Sequence, residues 1–247
     1  MNTTRVGLTA LLGTALLVLV ADPVVAQATA ESTTESAIWN LNSWLLYLAV
    51  PIAVLVEGIL IYTVWKYRRN ENPLPTRENR RLEIVWTIAT AIVLVAVGVG
   101  SYTVMANPYV TNSQADVPAE EEPLEVQVVA QKYSWTFEYP TETVAAVTGE
   151  STTVTNGGTL VLPTDRPVEL NVTSRDWLHS FHVPALALKQ DAFPGRSQPI
   201  TTVVEESGTY QLYCAEYCGV GHSGMLGTVD ARSQADFRAW LADQAGG

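Results

Sequence analysis

With 247 residues, 47% of them apolar, the chain is long enough for one modest domain and a further element. Its formal charge of −11 argues against nucleic acid as a partner, because such a field repels a polyanion. The charge is unevenly placed: residues 1–106 carry 7 acidic and 7 basic side chains and residues 107–247 carry 18 and 7, so the whole excess lies in the second part. It would attract cationic partners at low salt; adaptation to high salinity is a second reading, since only three of the fourteen basic residues are lysines.

The first apolar block, Val6 to Ala26, follows a lone Arg5 and ends in small residues around VVAQATA. A charged start, an apolar middle and an A-x-A-like end predict a signal peptide over residues 1–26; Asp22 and Pro23 favour cleavage over a third membrane helix. An external segment, 27–40, follows. The next two blocks, 41–65 and 84–105, each have the roughly twenty residues that cross a hydrocarbon core. Between them, in the loop 66–83, lie Lys66, Arg68, Arg69, Arg77, Arg80 and Arg81, which hold the loop in the cytoplasm. Residues 41–106 therefore read as a transmembrane hairpin with both flanks outside.

Residues 107–123, ending in the acidic, Pro-containing NSQADVPAEEEP, read as a linker to an external domain, 124–247. There the apolar pattern changes to a period of two. LEVQVVAQKYSWTFEYP alternates and then turns aromatic, TLVLPTDRPVELNVTSRD predicts two strands about a Pro-rich turn, and ITTVVEESGTYQLYCAEYC predicts two more about Ser207-Gly208. Short strands at this spacing imply a β-sandwich or Greek-key barrel. The end, SQADFRAWLADQA, predicts a short helix behind a Ser233 cap, with Phe237, Trp240 and Leu241 on one face.

Both cysteines fall in CAEYCGVGHSGM, Cys214 to Met225. In an oxidising compartment a disulfide is the plain reading, and a zinc knot is another. Thiolate, imidazole and thioether together suit copper better, because zinc gains nothing from a methionine. A mononuclear blue-copper site uses one cysteine, and here there are two. Two thiolates on a tight loop can instead lie between two coppers, with His222 and Met225 as end ligands. A second imidazole then comes from His179 or His182, both in DWLHSFHVP. Such a rigid site carries electrons and does no chemistry on a substrate.

CAEYCGVGHSGM resembles the binuclear copper (CuA) loop of subunit II of haem-copper cytochrome c oxidases. DWLHSFHVPALALKQDAFPGR, LEIVWT and WTFEY are also similar to that family, and the resemblance covers roughly residues 40–245. It implies a two-helix transmembrane hairpin, an all-β cupredoxin-like Greek-key sandwich and a short C-terminal helix. The implied copper ligands are His179, Cys214, Cys218, His222, Met225 and the backbone carbonyl of Glu216, whose side chain would hold a magnesium shared with subunit I. His182 matches no ligand; three residues from His179, it faces the other way on a strand. No haem is expected in this chain.

The resemblance also implies subunits I and III as partners, a cell (plasma) membrane location with the copper domain outside, and cytochrome c or a blue-copper protein as donor. Glu83 matches the mouth of a proton pathway, although a carboxylate at a helix start is also favoured by the dipole. Tyr133 stands where many members have the tryptophan through which electrons enter, and Trp135 is a second candidate. Glu138 and Asp176 match acidic positions that face cytochrome c. Glu57, within the first membrane block, should face a partner or stay protonated. The rival functions are a membrane-anchored copper carrier and a structural domain closed by a Cys214–Cys218 disulfide.

Overall fold

The computed structural model describes residues 30–75, 77–111 and 122–246. The expected signal peptide and most of the linker lie outside the described residues.

Helix α1 (Thr33–Tyr67) begins well before the apolar block at Leu41. Hydropathy misses its first two turns, TTESAIWN, because they are polar; a cap defines the start instead. Ser32 Oγ accepts from Glu35 N–H at 3.1 Å, and the Glu35 carboxylate accepts from Glu31 N–H at 2.7 Å and from Trp39 Nε1 at 3.2 Å. At about 1.5 Å per residue, α1 is on the order of 50 Å long, well beyond the ~30 Å hydrocarbon core. Its N-terminal turns therefore reach the external domain. Ser32 Oγ also donates to Leu186 C=O at 2.8 Å, and Glu205 N–H donates to Glu31 C=O at 2.9 Å. One serine thus caps the helix and ties it to the sandwich.

Helix α2 (Arg80–Met105) starts at Asn79, whose side chain accepts from Leu82 N–H, and it returns beside α1. A Cβ on Gly100 would lie 3.0 Å from the Trp44 ring, so that glycine lets the helices approach closely. Both helices have the length and hydropathy of membrane spans, with nothing buried in their most apolar windows. The short α3 (Pro108–Thr111) follows and accepts a hydrogen bond from Thr34 Oγ1 at Tyr109 C=O.

The external domain packs two five-stranded sheets face to face. One has the order β3-β2-β1-β5-β8: β1 (Leu124–Gln131), β2 (Ser134–Tyr139), β3 (Val154–Gly157), β5 (Pro167–Ser174) and β8 (Gln198–Val203). The other runs β4-β10-β9-β6-β7: β4 (Thr159–Pro163), β6 (His179–Val183), β7 (Leu188–Ala192), β9 (Gly208–Cys214) and β10 (Leu226–Arg232). The pairs β1/β5 and β10/β4 are parallel and the rest antiparallel, so both sheets are mixed. Alternation puts Val126, Val128, Leu170 and Val172 from one sheet and Leu160, Leu162, Leu212 and Val229 from the other into the shared core.

Helix α4 (Thr141–Thr148) interrupts the β pattern between β2 and β3, ending at Gly149 in the left-handed region. Helix α5 (Gln234–Gly246) is capped as expected: Ser233 Oγ accepts from Asp236 N–H at 3.2 Å, with Phe237 and Leu241 buried. At the open edge of β4, the buried Tyr139 hydroxyl donates to Val161 C=O and accepts from Val161 N–H, both at 2.9 Å. That hydroxyl closes the edge that a neighbouring strand would otherwise occupy.

Candidate metal centre

Strands β6 and β9 are neighbours, with Phe181 opposite Cys214. His179 opens β6 and Cys214 ends β9, so the sheet ladder brings the imidazole and the first thiol together. The β9–β10 loop then carries Glu216, Cys218, His222 and Met225. Three backbone bonds fold it tightly: Cys214 N–H to Met225 C=O at 3.1 Å, Ala215 N–H to Ser180 C=O at 2.9 Å and His222 N–H to Gly219 C=O at 3.0 Å. Gly219 has φ +134°, which only glycine adopts readily.

The donor atoms form a chain. His179 Nδ1 lies 3.8 Å from Cys214 Sγ, Cys214 Sγ 3.9 Å from Cys218 Sγ, and Cys218 Sγ 3.7 Å from His222 Nδ1. Met225 Sδ is 3.9 Å from Cys218 Sγ, and the Glu216 carbonyl oxygen is 3.2 Å from Cys214 Sγ. The ligand atoms of His179, Cys214 and Cys218 all lie within 4.8 Å of one another, and all three residues are buried. Both cysteines are free, not joined to each other.

The far side of His179 fixes its tautomer. Its Nε2–H donates to Asp176 Oδ1 at 3.0 Å, which leaves the Nδ1 lone pair aimed at the sulfurs. Burial opposes ionisation of Asp176. Hydrogen bonds from Lys132 N–H (2.9 Å), His179 and Trp177 N–H (2.8 Å) outweigh it and hold the carboxyl below its ordinary range. Burial, with Cys214 beside it, pushes the Cys218 thiol up to about 11. The buried Cys218 thiol is thus a poor anion by itself and becomes a good one only against a cation. The donor set fits soft metal ions: two sulfurs shared between two imidazoles, with a thioether near one sulfur and a carbonyl near the other.

The remaining candidates divide. His182 turns to the opposite face of β6, where Nδ1–H donates to Leu188 C=O at 3.0 Å and the ring meets Tyr213 edge-on. Trp135 is 1% exposed, its ring centroid 6.4 Å from that of His179. Tyr133 is 37% exposed in the turn before β2, and its side chain lies across the ligand loop: a Cβ on Gly221 would meet the ring at 2.5 Å and one on Gly219 the hydroxyl at 2.6 Å. The Glu216 side chain is half-buried. Glu83 lies in the first turn of α2, and Glu57 is exposed on α1, both far along the chain from the sulfurs. Sequence reasoning saw Asp176 as a surface acid and missed its hold on His179; the spacing of three residues before the histidine was the available signal. It also missed Gly219 and Gly221 as the floor on which Tyr133 lies.

Residues 24–104 match the transmembrane domain of cytochrome c oxidase subunit II, and residues 124–232 match the periplasmic domain of that subunit. Cytochrome c oxidase subunit 2 of Cereibacter sphaeroides is 30% identical over 237 residues, covering 84% of this chain and 76% of the relative. The subunit of the same name from Synechocystis is 29% identical, covering 90% of this chain and 75% of the relative. The crystal structure of the periplasmic domain of subunit II from Bradyrhizobium japonicum covers 51% of this chain and 96% of its own, at 20% identity and a TM-score of 0.45. The chain belongs to the cytochrome c oxidase subunit II family and is a membrane-anchored subunit, with an external domain, of a haem-copper oxidase.

Proposed function

We propose that His179, Cys214, Cys218, His222, Met225 and the Glu216 carbonyl hold a binuclear copper (CuA) centre that takes single electrons from an external donor, cytochrome c or a blue-copper protein. The electrons pass on to haem in subunit I, where oxygen is reduced to water with proton translocation. The observation that carries this reading is the buried, continuous chain of donor atoms from His179 through both sulfurs to His222. A copper pair held by these residues would supply a one-electron acceptor that shares the electron between the two metals.

The chain's own residues keep that exchange fast. The backbone bonds that close the loop hold the donors in place, so little has to move when charge changes. Asp176 keeps His179 in one tautomer, and burial of the sulfurs excludes water. Tyr133 spans the distance between surface and ligand loop and is the aromatic contact through which electrons enter. Trp135, enclosed beside His179, stiffens the wall behind it.

In the same reading the Glu216 side chain faces subunit I and holds a magnesium shared with it, and subunit III completes the core. The basic loop 66–83 stays cytoplasmic, the copper domain stands outside a cell membrane, and Glu83 is the mouth of a proton pathway. Replacing Glu83 by Gln is expected to slow turnover of the assembled oxidase while its copper spectrum is unchanged; equal turnover under proton-limited conditions would leave Glu83 as a helix-start carboxylate. The central test is copper counting and electron paramagnetic resonance on the purified oxidase. Two coppers in this subunit with one shared unpaired electron are expected. A single copper with a simple blue-copper spectrum, or a Cys214–Cys218 disulfide, would overturn the assignment.

A further inference from the structure

Three carboxylates meet where α1 enters the external domain. Glu31 stands just before the helix, Glu35 in its first turn, and Glu206 in the turn between β8 and β9. Burial, then the charges of Glu35 and Glu206, push the Glu31 carboxyl above its ordinary range. Burial, with Glu31, Glu206 and Glu35 around it, pushes the Tyr210 hydroxyl up to about 12. Glu31 Oε2 is buried without a hydrogen-bond partner, and among the described contacts no basic side chain is paired with any of the three acids. Like charges held this close repel one another unless a cation joins them.

The chain itself can supply that cation. The Glu31 backbone nitrogen lies 2.7 Å from Glu35 Oε2. The preceding VVAQATA offers three frames with small residues where a leader peptidase needs them, with cuts after Ala26, Ala28 or Ala30. The third frame makes Glu31 the first residue, and a free α-amine is largely protonated at neutral pH. The other two frames put the new amine on Gln27 or Thr29 and leave the Glu31 nitrogen a neutral amide. A cation beside a helix N-terminus is opposed by the dipole, but here the Glu35 carboxylate stands directly against the nitrogen and offsets it.

We propose that the chain is cut between Ala30 and Glu31, four residues beyond the end of the first apolar block, and that the freed Glu31 ammonium joins the carboxylates of Glu31, Glu35 and Glu206 and fastens α1 to the external domain. Water is added across the amide: the C–N bond breaks, Ala30 leaves on the leader as a carboxylate, and the Glu31 nitrogen becomes an ammonium. A membrane-bound leader peptidase catalyses this hydrolysis on the extended chain, before the joint closes. Bonds beside the cut then hold the new terminus in place: Glu205 N–H donates to Glu31 C=O at 2.9 Å, and Ser32 Oγ to Leu186 C=O at 2.8 Å. Nothing in this joint depends on the metal centre.

The test is the amino terminus of this subunit in oxidase purified from membranes, read by intact mass and terminal sequencing. A chain beginning at Glu31 is expected; one beginning at Met1, Gln27 or Thr29 overturns the cut. The place of the ammonium is read with an aldehyde selective for α-amines. In native oxidase the Glu31 amine is expected to react about fivefold or more slowly than in denatured protein, because charge-assisted hydrogen bonds are the strong ones. Glu35→Gln should keep the same terminus and raise the native rate about threefold or more, which simple steric cover would not do. Equal rates in native and denatured protein, or a native rate that Glu35→Gln leaves unchanged, overturn the joint. Ala30→Leu alters no residue of the cluster and puts a large side chain where the peptidase needs a small one. It is expected to move the terminus off Glu31 and to speed amide hydrogen exchange over residues 32–39 about fivefold. Unchanged exchange in that variant also overturns the joint.

Discussion

The two imidazoles at the ends of the donor chain are held in different ways. His179 is fully buried at the start of a central strand, its ring fixed on one side by Asp176 and flanked by Trp135. His222 sits in a short turn of the loop, half-buried, with the exposed Tyr217 ring 5.8 Å away and no comparable acid behind it among the described contacts. Strand-borne groups inherit the rigidity of the sheet, whereas loop-borne groups depend on the closure of the loop itself. The site is therefore stiff at the strand end and softer at the loop end, with the two sulfurs as the joint between them.

The most severe way to break this arrangement is at the joint. Cys218→Ser removes the sulfur that connects His222 and Met225 to the rest, so copper counting should find one copper or none per chain, and the shared-electron signal should vanish. Circular dichroism should still report a folded sandwich, because the loop lies at its rim. Two coppers in this variant would show that the sulfurs do not lie between metals.

The difference between the ends is sharpened by deleting each ring. His179→Gly and His222→Gly should both lose the native spectrum, but added imidazole should restore it only in His222→Gly, where solvent reaches the vacated place. Equal rescue of both would mean that the strand end is as open as the loop end. A smaller effect is expected from Asp176→Asn, which keeps shape but weakens the acceptor behind His179. Loss of such a partner typically lowers metal affinity about 10–100-fold, so a competition titration against a copper chelator should show a shift of that order. The corresponding Tyr217→Phe change at the loop end should shift it by much less.

The smallest effect tests the loop's own packing. In Gly221→Ala the new methyl would meet the Tyr133 ring, which must move aside. Overpacking of this kind costs about 1–3 kcal/mol, to be read as a lower unfolding midpoint. Electron uptake should slow with the copper count still at two. An unchanged midpoint would mean that the ring moves freely and does not clamp the loop.

The hairpin, the sandwich and the C-terminal helix were legible in the sequence because each rests on local pattern: long apolar runs, alternation about turn residues, and a serine cap before an apolar face. The donor types were legible for a similar reason, since Cys214, Cys218, His222 and Met225 fall within twelve residues of one another. The start of α1 was not, because hydropathy sees the apolar run and not the Ser32 cap that begins the helix two turns earlier.

How distant groups meet the loop was decided by the tertiary structure. The resemblance and strand alternation already favoured His179 over His182, and the pairing of β6 with β9 is what carries His179 to the sulfurs. Asp176 looks like any surface acid until the fold sets it behind His179, and Glu138 looks free until Arg175 meets it. Tyr133 over Gly219 and Gly221 belongs to the same class, a contact between a strand turn and a loop about ninety residues further along the chain. Local pattern encodes which chemistry the chain can do. Long-range pairing determines which side chains face one another, and a single strand register settles that for every residue it carries.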